Sequence, residues 1–161
     1  MVPANDIVEL QRLIRGRKHS LHDLRMALQA LPRAQRFDAL LGIFTENQDA
    51  DTFSDQDVAG RLLVDVMPDC RLELEAVLDA VAATWNASVE ELPMYLGTKF
   101  GREAVIAAAN SLSQKWATND RRSEAMRTIA WWLENRRADR RTEMRTNQRM
   151  HPSRRVGRFD N

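Results

Sequence analysis

Apolar residues recur at helical spacing along almost the whole chain, and this pattern is the strongest constraint on its fold. No stretch of four or more residues alternates cleanly between apolar and polar, as a half-buried strand would. Turn residues are sparse, with six Gly and five Pro in 161 residues. The sequence therefore predicts an all-α protein of about eight helices, joined mostly by short links and hence packed as antiparallel neighbours.

Capping residues and prolines indicate where these helices begin and end. Ser20, followed three residues later by Asp23, predicts a helix start, and Pro32 ends that helix. Ser88 and Glu91 match the capping box, in which two side chains satisfy free backbone N–H groups at a helix start. The expected helices lie at about 6–15, 20–31, 34–44, 54–67, 71–85, from 88 to a turn at 97–101, 103–116 and 121–137. A single helical domain over 1–137 would precede an Arg-rich, partly disordered extension at 138–161.

Residues 88–112, SVEELPMYLGTKFGREAVIAAANSL, read as a helix with an internal proline, a glycine-bracketed turn and an apolar second helix. This unit resembles a HEAT-like α-α repeat, and residues 20–44 and 54–85 form similar pairs over about two-thirds of the chain. The resemblance implies stacked helical hairpins that present one face to a partner. An irregular helical bundle is the alternative architecture.

Sequence signals of catalysis are missing, since the chain contains no GxxxxGK[ST], GxSxG, HExxH or GxGxxG. The GTKFG segment at 97–101 is interpreted as an interhelical turn. His19 and His22 are expected to be exposed residues near a helix start, because only Asp23 stands nearby as a third metal ligand. Cys70 has no histidine in its own predicted element to activate it. We therefore expect no enzymatic activity, no cofactor and no metal site.

The amino-acid composition also indicates the cellular compartment of the protein. A lone cysteine excludes an intramolecular disulfide framework and is typical of a reducing environment. The first ten residues lack the basic start and apolar stretch of a signal peptide, and no apolar run approaches the roughly 20 residues that span a bilayer. The expectation is a cytoplasmic protein without membrane association.

Charge is divided sharply near position 120. Residues 1–120 carry 12 Lys and Arg against 18 Asp and Glu, whereas residues 121–161 carry 12 Arg against five acids. The net charges are therefore −6 and +7. A basic segment of this kind usually contacts nucleic acid, an acidic protein or the acidic body of its own chain.

The polar segment at 46–57 concentrates acids at Asp49, Asp51, Asp55 and Asp57. It does not match an EF-hand, since neither register places Gly sixth and Glu twelfth. Two interpretations remain, a solvated acidic loop and an acidic docking surface for a basic partner.

Two adjacent tryptophans mark the last predicted helix. On a helical wheel Met126, Ile129 and Leu133 share one face, while Trp131 falls nearly opposite, with Arg127. Trp131 is therefore either covered by another part of the chain or exposed. An exposed Trp beside an Arg would be a good anchor for a protein partner or a second subunit.

The Arg-rich extension offers a different function. Its phosphate-binding candidates are Arg136, Arg137, Arg140, Arg141, Arg145, Arg149, Arg154 and Arg155. Phe159 is the one aromatic residue after position 138, so base stacking is poorly served. A solvated tail, nucleic-acid contact and protein contact or self-association all remain open.

The expected function is non-catalytic binding of a protein partner through a helical surface and the acidic loop. The acidic body with short capped hairpins resembles small helical proteins that neutralise or adapt a partner, such as bacterial immunity or inhibitor proteins. The alternative is nucleic-acid binding through the Arg-rich end. A homo-oligomer is compatible with either function.

Overall fold

In this computed structural model the described residues are 6–46 and 52–150, with the backbone alone for residue 52 and residues 136–150. All regular secondary structure in this part of the chain is helical, which confirms the predicted all-α class. The helices are α1 (Ile7–Gly16), α2 (Leu21–Ala30), α3 (Arg33–Thr45), α4 (Thr52–Val66), α5 (Leu74–Val81), α6 (Glu91–Leu96), α7 (Arg102–Lys115) and α8 (Arg121–Met150).

A π-helical turn, Gly97–Gly101, joins α6 directly to α7. The described residues therefore contain seven uninterrupted helical stretches and not the eight expected. The predicted interhelical turn at 97–101 is a widened helical turn instead. Gly101 adopts a φ of 89° where the chain enters α7, a conformation that glycine tolerates because it has no Cβ.

The predicted start of α2 is confirmed in detail. The Ser20 side chain accepts a hydrogen bond from the Asp23 backbone N–H at 3.2 Å, and the Asp23 carboxylate accepts one from the Ser20 N–H at 3.3 Å. These reciprocal bonds satisfy two N–H groups that the first turn of the helix leaves free.

Two other predicted helix starts are wrong. The Ser88 N–H donates to Asn86 Oδ1 at 3.0 Å, and α6 begins only at Glu91, without a side-chain cap. The chain turns tightly at 86–89, so Ser88 is not in position to cap the helix. Likewise α4 begins at Thr52, so Ser54 lies inside the helix and does not cap it.

The core draws apolar side chains from all eight helices, including Leu10, Leu28, Phe37, Phe44, Leu62, Leu63, Leu78, Tyr95, Val105 and Met126. Polar links connect distant segments within it. Gln56, fully buried near the start of α4, donates to the Thr84 carbonyl at 2.9 Å and accepts from the Asn86 N–H at 2.8 Å. This bridge ties α4 to the segment that follows α5.

Helices α7 and α8 form an antiparallel hairpin that positions the C-terminal part of the chain. Ser123 Oγ donates to the Ser113 carbonyl at 2.9 Å near the start of the hairpin. Further along, a Leu133 methyl lies 3.0 Å from the point that a Cβ at Gly97 would occupy, so α8 packs closely on the π-helical turn. The helix runs through position 137 without a break. A helical bundle fits this arrangement, and the HEAT-like resemblance of residues 88–112 stays a prediction.

Every helix within residues 6–46 and 52–150 is too short or too polar to cross a bilayer.

Candidate functional site on helix α8

The two faces of α8 are sharply different, as the helical wheel predicts. Met126 and Ile129 are fully buried and Leu133 is nearly so, whereas 52% of the Trp131 surface is exposed. Of the two possibilities that the sequence left open for Trp131, covered or exposed, the structure shows the exposed one. It is the most exposed aromatic residue in the described part of the chain.

Trp132 fixes the position of its neighbour. Its indole Nε1 donates to the Ala87 carbonyl at 2.9 Å, which ties this side chain to the turn after α5. The Trp131 ring lies against it, edge to face, with centroids 5.0 Å apart and planes inclined at 70°. A partly buried, hydrogen-bonded indole therefore supports the exposed one.

Arg127 stands one helical turn before Trp131, on the same exposed face. Its Nη2 donates to the Thr118 carbonyl at 3.0 Å, so the guanidinium is held near the α7–α8 connection. Since exposed aromatic and guanidinium groups are the side chains that most often dominate protein interfaces, this pair has suitable chemistry for holding a protein partner.

The start of α8 is built by Asp120 and Arg122. Asp120 Oδ1 accepts from the Arg122 N–H at 2.8 Å, and Asp120 Oδ2 accepts from Arg122 Nη2 at the same distance. These hydrogen bonds hold the pKa of the Asp120 carboxyl below its usual value. Arg122 also stacks over the Trp116 ring at 4.8 Å, so the whole connection between α7 and α8 is well braced.

A cleft of about 240 Å³ opens beside this surface, between the turn after α5 and the first two turns of α8. Its lining includes Trp85, Asn86, Ala87, Arg121, Glu124 and Thr128. The carbonyl of Ala87 bonds Trp132, so the cleft and the tryptophan pair are neighbours. Sequence reasoning missed this cleft because its two walls are more than 30 residues apart in the chain.

The structure describes two of the four acids expected at the docking surface, Asp55 and Asp57, and both pair with arginines of the same chain. Asp49 and Asp51 lie outside the described residues. Asp55 is only 5% exposed and forms an ion pair with Arg17 at 3.3 Å, so it is not accessible to a partner. Asp57 pairs with Arg61 one turn along α4, at 3.0 Å. The reason is that the helix begins at Thr52, which turns Asp55 towards the end of α1.

The phosphate-binding candidates are placed only in part. Positions 136, 137, 140, 141, 145 and 149 lie in α8, and the structure describes their backbone. Helix α8 therefore continues beyond its expected end at 137. Arg154 and Arg155 lie outside the described residues.

Other reactive side chains offer little chemistry. Cys70 is partly buried, burial raises the pKa of its thiol, and its Sγ donates to the Leu72 carbonyl at 3.5 Å. Nowhere in the described ranges do three His, Cys, Asp or Glu side chains converge as metal ligands would.

No protein-family model matches this chain, and the searches of curated proteins and of solved structures return no significant match.

Proposed function

We propose that this protein is a non-catalytic binding protein of the inhibitor, immunity or adaptor type, acting in the cytoplasm. Its protein-binding surface is the exposed face of α8 around Trp131 and Arg127. The single observation that carries the proposal is the half-exposed Trp131 ring, supported by a Trp132 side chain that is bonded to the body of the molecule.

Both the contact area and the conformational entropy of Trp131 favour it as an interface residue. A tryptophan side chain buries a large apolar area when a partner covers it. Ordering a mobile side chain at an interface costs roughly 0.5–1.5 kcal/mol, and a ring already packed against its neighbour loses less freedom. Trp131 therefore combines a large gain on burial with a small ordering cost.

The test compares Trp131→Ala with Leu133→Ala on the opposite face. Trp131→Ala should lower the free energy of unfolding by no more than about 1 kcal/mol, yet weaken association by ~2 kcal/mol or more. Leu133→Ala should lower unfolding stability by roughly 2–5 kcal/mol through loss of core contacts. Unfolding is measured in urea. Association is measured by sedimentation of the pure protein and by capture of a partner from lysate of the source cells.

Phe53→Ala is the matched control, because Phe53 on α4 is also an aromatic residue about half exposed. It should leave association unchanged. Equal destabilisation by Trp131→Ala and Leu133→Ala would make Trp131 an ordinary core residue. Equal loss of association with Phe53→Ala would show that the effect is not specific to α8.

Nucleic-acid binding is the second candidate function, favoured by the continuation of α8 as a helix to Met150 with arginine at six of its last 15 positions. Phosphate neutralisation by arginine gives binding that weakens steeply as salt rises. The full chain should retard RNA or duplex DNA in a gel at low salt, and a chain ending at Arg137 should not. No shift with the full chain would eliminate this candidate.

A further inference from the structure

The exposed side of α8 carries a projecting aromatic ring and a cleft next to each other. Trp131 is half exposed, and the Trp132 ring behind it is hydrogen-bonded to the carbonyl of Ala87, a residue of the cleft wall. The cleft volume of about 240 Å³ lies below the roughly 300–1,000 Å³ of sites for small molecules. The cleft therefore suits a single large side chain of a protein partner. A surface that holds both a projection and a cleft fits a second copy of itself, because two-fold symmetry brings the same surface of both copies together.

Polar side chains around Trp131 already have hydrogen-bond partners within the chain. Thr128 Oγ1 donates to the Glu124 carbonyl at 2.9 Å, and Asn135 Nδ2 donates to the Trp131 carbonyl at the same distance. Arg127 likewise donates to a carbonyl of the α7–α8 connection. Covering a polar group costs free energy when its hydrogen bond is lost. Because these donors keep their acceptors, a partner that covers this surface through apolar contact and shape leaves them paired.

The exposed charges of α8 alternate in sign along the helix. In the part of α8 whose side chains the structure describes, the exposed charged residues are Arg121, Glu124, Arg127 and Glu134. Their charges cancel, so a strongly acidic or strongly basic partner would meet two like charges on this surface. A second copy of α8 running antiparallel presents the same charges in reverse order, which brings Arg121 of one copy level with Glu134 of the other. The charge pattern therefore favours a second copy as the partner.

The cleft and the charges define the same register between two antiparallel copies. The α8 residues that line the cleft are Arg121, Glu124, Ala125 and Thr128. The middle of this set lies near position 124, and Trp131 lies about 10 Å further along the helix at 1.5 Å per residue. Each Trp131 reaches the cleft of the other copy when the two-fold axis passes midway, next to Thr128. The midpoint between Arg121 and Glu134 falls between positions 127 and 128, so the alternating charges require the same axis.

We propose that the protein forms a two-fold symmetric dimer in which α8 packs antiparallel on α8 of a second copy, with the axis next to Thr128. The Trp131 ring of each copy enters the cleft between α8 and the turn after α5 of the other copy. This inference rests on the proposed function, because it names a second copy of the chain as the partner of the same Trp131 surface.

The first experiment measures self-association of the pure full chain by sedimentation equilibrium. The wild-type protein should be mainly dimeric at about 100 µM and dissociate on dilution. Trp131→Ala should raise the dissociation constant of the dimer by about 30-fold or more, because each interface loses two buried rings. Phe53→Ala removes an aromatic ring of similar exposure on α4 and should leave the dissociation constant unchanged.

The second experiment tests the position of the axis. Thr128→Arg and Thr128→Glu should each be monomeric alone, because each variant places two like charges together on the axis. An equimolar mixture of the two variants should restore a dimer that contains one chain of each. Thr98 is the matched control position, since its Oγ1 also donates to a carbonyl four residues earlier, at 2.9 Å, but it lies on the π-helical turn. Thr98→Arg and Thr98→Glu should each remain dimeric alone, and the helical circular dichroism of every variant verifies its folding.

Two results would overturn the dimer. One is a wild-type chain that stays monomeric at about 100 µM. The other is a dimer that both Thr128 variants form alone, which would place the interface elsewhere. If the wild-type chain is monomeric and Trp131→Ala abolishes capture of a different protein from lysate of the source cells, the dimer is excluded and the proposed function stands. If Trp131→Ala changes neither self-association nor capture, the dimer and the proposed function are both wrong.

Discussion

At the scale of single residues, Tyr95 connects α6 to the middle of the molecule. It is the one tyrosine in the chain and is fully buried. Its hydroxyl donates to the Pro68 carbonyl at 2.6 Å, and its ring stacks on Phe37 with centroids 5.6 Å apart. Burial raises the pKa of this phenol, and the nearby Cys70 and Asp69 raise it further. The folded protein therefore holds Tyr95 in its neutral form.

The first prediction concerns alkaline pH. Because the folded pKa of Tyr95 lies above the unfolded value of about 10, its contribution to stability is complete below that pH and is lost as pH rises further. Tyrosinate absorbance and the helical circular dichroism signal should change together, above about pH 10. Tyrosinate absorbance that titrates normally while the helical signal persists would contradict the buried hydroxyl. The Tyr95→Phe variant should be less stable at neutral pH by about 1–3 kcal/mol, because the Pro68 carbonyl loses its donor.

At the scale of helices, a glycine permits the close contact of α4 with α6. A Cβ at Gly60 would lie 2.9 Å from the Cβ of Glu91 and 3.0 Å from Val89 Cγ1. The Glu91 Cβ is fixed to its backbone and cannot swing aside. Position 60 is therefore glycine because the packing of α4 on α6 leaves no room for a Cβ, and not because of the helix propensity of the residue.

The second prediction follows from this contact. Gly60→Ala should lower the free energy of unfolding by about 1–3 kcal/mol relative to Gly16→Ala, as measured in urea. Both substitutions gain helix propensity, worth roughly 1 kcal/mol in a helix interior. Gly16 ends α1 with no atom within 4 Å of its added Cβ, so it is the matched control. Equal stability of the two variants would mean that α4 and α6 separate at no cost.

At the scale of the whole molecule, the apolar core and the positive charge occupy different parts of the chain. The last buried side chain that the structure describes is Leu133. Residues 138–161 carry seven arginines and three acids, a net charge of +4. The division of the chain near position 137 remains a prediction, although α8 itself crosses that position.

The third prediction tests this division. A chain ending at Arg137 keeps every described core residue. Its free energy of unfolding should differ from that of the full chain by no more than ~1 kcal/mol, so the two Tm values should be close. Thermal unfolding followed by circular dichroism provides the measurement. A loss of many degrees would show that residues 138–161 pack on the body, and it would remove the truncated chain as a control for nucleic-acid binding.

Features that depend on one or two helical turns could be read from the residues alone. The capping of α2 by Ser20 and Asp23, the buried stripe of Met126 and Ile129 and the place of Trp131 opposite that stripe all follow from spacings of three to five residues. Such spacings bring side chains together in any α-helix, whatever surrounds it.

Contacts between distant segments of the chain could not be predicted from the sequence and became visible only in the tertiary structure. Asp55 reads as a loop acid, and its pairing with Arg17 arises because α4 packs beside the end of α1, 38 residues away. The π-helical turn at 97–101 likewise depends on how α6, α7 and α8 meet. Helical periodicity identifies which face of each helix is apolar, but the angles and registers of their packing arise from the shapes of many side chains at once.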